Sequence, residues 1–279
     1  MLALPVGFDT GLGQIKDWIE EGRECVPAEV RGQVHMMDIK ADYLAFLLKY
    51  KGDWSDLKIA MDVSNGMASL FVRDIFGDQP SYIYEELDGR FPNHEPNPLN
   101  LKNIVDLQKL VSETRSDIGV IFDGDADRCL AVDENGNIVD GDAIMYILGK
   151  RLKSRGMLNS DTVVATVMSN SGFVKSLKEI GIESAITTVG DRYVYECMQQ
   201  NDYCLGGEQS GHIIFRDFAT TGDGQLTAVQ LLSYLKRCGR PLHELKKVMK
   251  RYPQHSANVG IGEEGKRAFY TNSAVKAAV

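Results

Sequence analysis

Apolar positions along the chain switch repeatedly between two spacings. Residues 39–50, IKADYLAFLLKY, carry Ile39, Tyr43, Phe46, Leu47 and Tyr50 three or four positions apart, the spacing of one helix face. Residues 57–63, LKIAMDV, are a strand-like run, cut by Ser64-Asn65-Gly66 and followed by a helix from Met67. Helical spacing returns over residues 101–112, and residues 117–122, DIGVIF, have the pattern of a buried strand. Residues 129–139, CLAVDENGNIV, predict a hairpin in which Asn135-Gly136 supplies the two positive φ angles of a type I′ turn.

The pattern then begins again. A helix over residues 142–156 places Ile144, Ile147, Leu148 and Leu152 on one face and ends at Gly156. Next come a β-branched strand at 162–167, a helix at 172–181 and a strand at 184–189. Strand-like YCLGG and HIIF bracket residues 206–211, and a helix over 224–241 closes at Gly239 and Pro241. Such alternation predicts an α/β protein of two consecutive domains, each with a mixed, mainly parallel sheet flanked by helices. The boundary falls near residues 137–142, and Pro- and Asn-rich loops occupy residues 88–100 and 251–256. No fixed-period repeat is visible.

Composition narrows the classes. With 279 residues the chain is long enough for one large domain or about two ordinary ones. A net charge of −8 gives no nucleic-acid footprint. No apolar run reaches the roughly 18 residues that span a bilayer, so no membrane association is expected and a cytoplasmic location is. Cys25, Cys129, Cys197, Cys204 and Cys238 are scattered, without a C-x-x-C pair, which argues against a disulfide framework or a structural zinc site.

The chemistry concentrates in FDGDADR. Asp123, Asp125 and Asp127 stand at alternate positions and can converge on one point. Two such charges about 4 Å apart repel by about 4 kcal/mol at an effective dielectric of 20. A divalent cation turns that repulsion into ligation, and hard oxygen ligands suit Mg²⁺. Arg128 beside the cation points to an anionic oxygen, most naturally a phosphate. An EF-hand also begins D-x-D-x-D, and Glu134 falls at its twelfth position, but Arg128 stands where that loop needs Gly and the flanks read as strands. On spacing alone a solvated acidic turn also stays open.

FDGDADR resembles the metal loop of the α-D-phosphohexomutases, enzymes that interconvert sugar 1-phosphates and 6-phosphates. The resemblance implies that Asp123, Asp125 and Asp127 bind Mg²⁺ together with a phosphoserine oxygen and that Arg128 contacts the phosphate. GGEQSGH, residues 206–212, is similar to the family's sugar-binding loop, which assigns Glu208 and Ser210 to the sugar hydroxyls with His212 nearby, or else His212 as a strand-start residue satisfied by backbone. Its glycines suit close approach to a ligand. TTVGDRYV, residues 187–194, resembles the family's other specificity loop; there Gly190, Asp191 and Arg192 stand at a helix N-terminus suited to anions. DVSNGMAS, VVATVMSNSG and TTGDGQLTAVQLL extend the likeness.

Carried along the chain, the resemblance implies a remnant of the family's first domain at 1–34 and its second domain, with the metal loop, at 35–138. The third, with the sugar loop, follows at 139–251, and a truncated fourth begins at 252–279. Neither a T/S-A-S-H-N-P loop with its phosphorylated serine nor an R-P-S-G-T-E-P-like phosphate clamp occurs in the sequence; MSNSG and PQHSAN are the nearest strings to the former. The expectation is therefore an Mg²⁺-dependent isomerase, an intramolecular phosphotransferase working through a phosphoserine and a bisphosphate intermediate. Its substrate is a phosphorylated hexose or hexosamine, and these residues alone turn over negligibly. The alternatives are a non-catalytic module for Mg²⁺ and phosphosugar, or a piece that complements a separate first domain. Exposed former domain interfaces would favour self-association. GEQSGH, VGDRYV and VATVMSN look most like the phosphoglucosamine mutase branch, DGRFPNHEPNP like the phosphomannomutase/phosphoglucomutase branch.

Overall fold

A computed structural model of the chain describes residues 6–24, 26–27, 29–30, 32–247, 249–255 and 260–274. Cys25 and the end of PQHSAN lie outside the described residues; Cys129, Cys197, Cys204 and Cys238 are free thiols. Among the described residues no helix is long and apolar enough to cross a membrane.

Helix α1 (Leu12–Glu20) leads, with Leu12, Ile15 and Ile19 exposed, and α2 (Lys40–Leu48) follows. The run at 57–63 becomes β1 (Ile59–Asp62). The helix expected from Met67 is instead a 3-10 turn, Met67–Leu70, and a short α3 (Val72–Phe76), ended where Gly77 takes φ 80°. Then come β2 (Ser81–Ile83), α4 (Val105–Thr114), β3 (Ile118–Phe122), β4 (Cys129–Asp133) and β5 (Ile138–Val139). The β4–β5 turn is not type I′. Only Gly136 has a positive φ, 81°, and its N–H donates to the Asp133 carbonyl at 2.9 Å, so this is a type I turn closed by a left-handed glycine. The Asp133 carboxylate, accepting from the N–H groups of Asn135 and Asn137 at 3.0 and 2.9 Å, stabilises that alternative.

The second half runs α5 (Gly141–Ser154), β6 (Thr162–Thr166), α6 (Ser171–Glu179), β7 (Glu183–Thr187), α7 (Asp191–Asn201), β8 (Leu205–Gly207), β9 (Ile213–Phe215), α8 (Gly224–Cys238), α9 (Leu242–Lys247) and α10 (Glu263–Thr271). Helix α5 starts on an Asp140 side-chain cap to the Ala143 N–H at 3.0 Å. It ends in a Schellman motif, with the Met157 and Gly156 N–H groups donating to the Leu152 and Lys153 carbonyls.

The two sheets share one plan. The first has strand order β2-β1-β3-β4-β5, the second β7-β6-β8-β9. In each, three parallel strands meet an antiparallel fourth through a short loop, at residues 123–128 and 208–212 respectively. Repetition hidden in the sequence is thus plain in the topology. Strand residues alternate between faces as the pleat requires. Ala60, Ile121 and Leu130 pack under α4 residues Leu107 and Val111, and Val164 and Ile214 under α7 residues Val194 and Met198. The opposite faces share one large core, in which Met61 and Val120 join Val163 and Ala165 through α5 and α8. Helix α8, late in the chain, lies against β3 and β4 of the first sheet. Its cap Asp223 accepts from the Tyr43 hydroxyl at 3.0 and 3.1 Å, and Ser233 Oγ accepts the Gly52 N–H at 3.0 Å. The two halves are therefore interlocked rather than strung together.

Candidate active site

Both short loops leave the carboxyl ends of their third strands, where open α/β sheets bind ligands. Residues 123–128 curl so that one oxygen from each of Asp123, Asp125 and Asp127 lies within 4.8 Å of the others. Flanking strands β3 and β4 rule out the helices of an EF-hand, and Glu134 pairs with His243 instead. Ala126 holds a left-handed φ of 63°, unusual for a residue with a Cβ, and its carbonyl accepts the Gly224 N–H at 2.9 Å. Asp123 is buried and accepts the Arg128 N–H at 3.1 Å, while Asp125 is exposed. Arg128 Nε stands 3.5 Å from Asp123 and 3.7 Å from Asp127.

Electrostatics fit a cation. Burial first, and then the Asp127 charge, push the Asp123 carboxyl up to about 7. Burial works against ionisation of Asp127 as well, but the hydrogen bond from His212, the Asp123 carboxyl beside it and the Arg128 charge hold it below its usual value. Asp127 Oδ1 is buried without a hydrogen-bond partner. Three converging carboxylates, one made reluctant to ionise and one with an orphaned oxygen, form an all-oxygen donor set suited to Mg²⁺.

The loops at residues 123–128 and 208–212 touch. The Cys129 N–H donates to the Gly211 carbonyl at 3.1 Å, and Arg128 and His212 form a lone antiparallel bridge. Gly211 sits at φ 91°, and a Cβ there would fall 2.5 Å from the Cys129 carbonyl, so only glycine allows this approach. Gly206 and Gly207 serve packing rather than a ligand: their Cβ positions are filled by the Met198 sulfur and the His212 carbonyl.

His212 is not free for the sugar. It is 4% exposed, with Nδ1 on Asp127 at 3.0 Å and Nε2 accepting the Gly222 N–H at 3.0 Å. The backbone donor fixes the tautomer, so Nδ1–H donates to the carboxylate and orients it. Sequence spacing could not show this, because Asp127 and His212 are 85 positions apart. Glu208 does face the segment 187–194. Its Oε1 accepts the Gly190 N–H at 2.9 Å and its Oε2 the Ser210 hydroxyl at 3.2 Å. Asp191 opens α7 with its carboxylate 3.9 Å from His212 Nε2. Arg192 does not offer the charge expected of it, since its guanidinium is taken by Asp9 and by Glu196 at 2.7 Å.

One buried acid beside the site was missed by the sequence reading. Asp142, fully buried in the first turn of α5, accepts from the Asn170 N–H at 2.7 Å and from Gln209 of the 208–212 loop at 3.3 Å. Burial pushes its carboxyl up to about 6, and its Oδ1 has no partner. An acidic residue inside an apolar helix pattern was the available signal.

Two sequence models match the chain, both described as phosphoglucomutase/phosphomannomutase: alpha/beta/alpha domain II over residues 41–136 and alpha/beta/alpha domain III over residues 140–252. The phosphoglucosamine mutase of Geobacillus kaustophilus is 45% identical over 276 residues, covering 95% of this chain and 55% of the relative. That of Bacillus subtilis is 42% identical over 285 residues, covering 100% and 57%. The chain thus spans a little over half the length of these relatives. Among solved structures, a phosphoglucomutase/phosphomannomutase family protein from Burkholderia thailandensis superposes with a TM-score of 0.72 at 24% identity, over 85% of this chain and 52% of that one. An Aspergillus fumigatus N-acetylphosphoglucosamine mutase in complex with GlcNAc-6P and magnesium gives 0.57 at 16%, over 77% and 50%.

Proposed function

This chain belongs to the phosphoglucomutase/phosphomannomutase family, the α-D-phosphohexomutases, and from that premise we propose that it carries the metal and sugar loops of a phosphoglucosamine mutase. Asp123, Asp125 and Asp127 would hold Mg²⁺, and Arg128 would meet the phosphate. The bound ion would supply Lewis-acid stabilisation of charge on the transferring phosphoryl group. The chain's own part is positioning. His212 aims Asp127, the Gly190 N–H and Ser210 hydroxyl aim Glu208, and Glu208 with Ser210 would meet the sugar hydroxyls.

The observation that carries the amino-sugar reading is the charge of the second loop. With Arg192 neutralised by Asp9 and Glu196, Glu208 and Asp191 leave the sugar side negative, which favours a substrate bearing an ammonium group. Relatives at 42–45% identity named for glucosamine phosphate support the same choice.

Calorimetry tests both parts. Mg²⁺ should bind saturably, weakened about tenfold or more by Asp125→Asn, and glucosamine 6-phosphate should bind the Mg²⁺-loaded protein more tightly than glucose 6-phosphate. No saturable Mg²⁺ heat would remove the metal reading, and equal or stronger glucose 6-phosphate binding the amino-sugar one. With no phosphoserine loop in its 279 residues, the chain alone should not interconvert the 1- and 6-phosphates in ³¹P NMR, even with a sugar bisphosphate; turnover would overturn that expectation.

A further inference from the structure

A cleft of about 380 Å³ opens where α2, α5, β9 and α8 meet. It lies at the far end of α5 from the sugar loop. Gly141 packs on the Glu208 carbonyl, whereas the cleft begins at Leu148, seven residues and about 10 Å further along the helix axis. Nothing in the proposed reaction uses it.

Lys49, Lys51, Arg151, Arg155 and Arg237 line this cleft and, among the described residues, no carboxylate does, in a chain whose net charge is −8. The last turns of α2, α5 and α8 supply these residues or their neighbours, and carbonyl dipoles there make cations tolerable. Each helix end is worth about half a negative charge, so three ends offset about one and a half of five cations.

Arg151 is the informative member. It is 8% exposed, its Nη1 donates to the Gln230 carbonyl at 3.1 Å, and it lies 5.5 Å over the Tyr234 ring. None of these partners is an acid. Burial, then Arg237 and Arg155, push the guanidinium down to about 10. A buried cation held beside like charges without a counter-ion is costly unless a ligand supplies the anion. Beside it lies an aromatic floor: Tyr50 and Phe218 have ring centroids 4.5 Å apart, Phe218 and Phe215 6.1 Å, and Tyr50 and Phe218 are only half-buried.

We infer that this cleft is a second ligand site, for a phosphorylated compound that carries a planar aromatic ring. The guanidinium groups take the phosphates in their fork geometry and the half-buried rings of Tyr50 and Phe218 take the aromatic part.

The test is calorimetry on the full chain with EDTA present, so that the metal loop holds no cation. ADP, pyrophosphate and adenosine are the probes. The comparison variant is Arg155→Ser/Arg237→Ser, whose side chains are exposed and play no part in either catalytic loop. ADP should bind saturably, at least about fivefold tighter than pyrophosphate or adenosine, and about tenfold weaker in the variant with its melting temperature unchanged. Absence of saturable ADP binding up to about 5 mM overturns the proposal. So does binding indifferent to the two substitutions, which would put the phosphate elsewhere. Pyrophosphate equal to ADP and displaced equally by sulfate would reduce the cleft to plain charge attraction and overturn it too. Each of these failures leaves the metal and sugar loops untouched.

Discussion

Replacing Asp142 by Asn should stabilise the protein at neutral pH while weakening the candidate sugar site. The carboxyl is fully buried, and burial lifts it from 3.8 to about 6. A raised carboxyl binds its proton more tightly folded than unfolded. Its contribution is therefore whole below pH 3.8 and is lost as pH climbs to about 6. At about 1.4 kcal/mol per tenfold change in proton affinity, the loss above pH 6 is about 3 kcal/mol. Asn carries no charge to desolvate, and its Oδ1 can still accept the Asn170 N–H. Its amide needs the Gln209 oxygen in exchange for the present 3.3 Å donation, so the net gain should be about 1–3 kcal/mol. Urea unfolding at pH 7.5 should show a higher midpoint for Asp142→Asn, and at pH 4 the two proteins should nearly coincide. A neutral or destabilised variant at pH 7.5, or a gain equal at both pH values, would refute the reasoning. In the same variant, glucosamine 6-phosphate affinity should fall, because Gln209 must turn its amide round to keep the bond that ties its loop to the base of α5. A stabilising change that costs binding is the usual mark of a group kept for its site.

His212→Gln should weaken Mn²⁺ binding, read by electron paramagnetic resonance, by about 10–100-fold with the circular dichroism spectrum unchanged; undiminished affinity would mean that the Asp127–His212 bond does not position the ligand. Gly66→Ala puts a Cβ 2.7 Å from the Gly124 carbonyl and 2.9 Å from that of Asp123. It should cost about 1–3 kcal/mol in urea and lower Mn²⁺ affinity, whereas full metal binding would show that the loop does not lean on residue 66. Asp191→Asn should shrink the preference for glucosamine 6-phosphate over glucose 6-phosphate without touching Mg²⁺ affinity; an unchanged ratio would relieve Asp191 of that role.

What could be read from the sequence was whatever the local pattern determines. Residues 39–50 and 224–241 announced α2 and α8 by spacing alone, and FDGDADR announced converging carboxylates because alternate residues share a side. What could not be read depends on distant chain. The turn at Asn135-Gly136 has the dipeptide of a type I′ turn, yet the Asp133 carboxylate tips it to another form. Arg192 looks like a free cation until Asp9 arrives from 183 positions away. His212 could have been a sugar contact, and only the folded chain brings it to Asp127. The shared strand order gives these surprises a common cause. The loops at residues 123–128 and 208–212 occupy the same place in two copies of one topology, each leaving its third parallel strand for an antiparallel fourth. With α8 reaching back onto the first sheet, the two loops are pressed together, so that Gly211 meets Cys129 and His212 meets Asp127. Each loop's sequence states its own chemistry. That the two loops form one site follows from the packing between the halves, which no local pattern records.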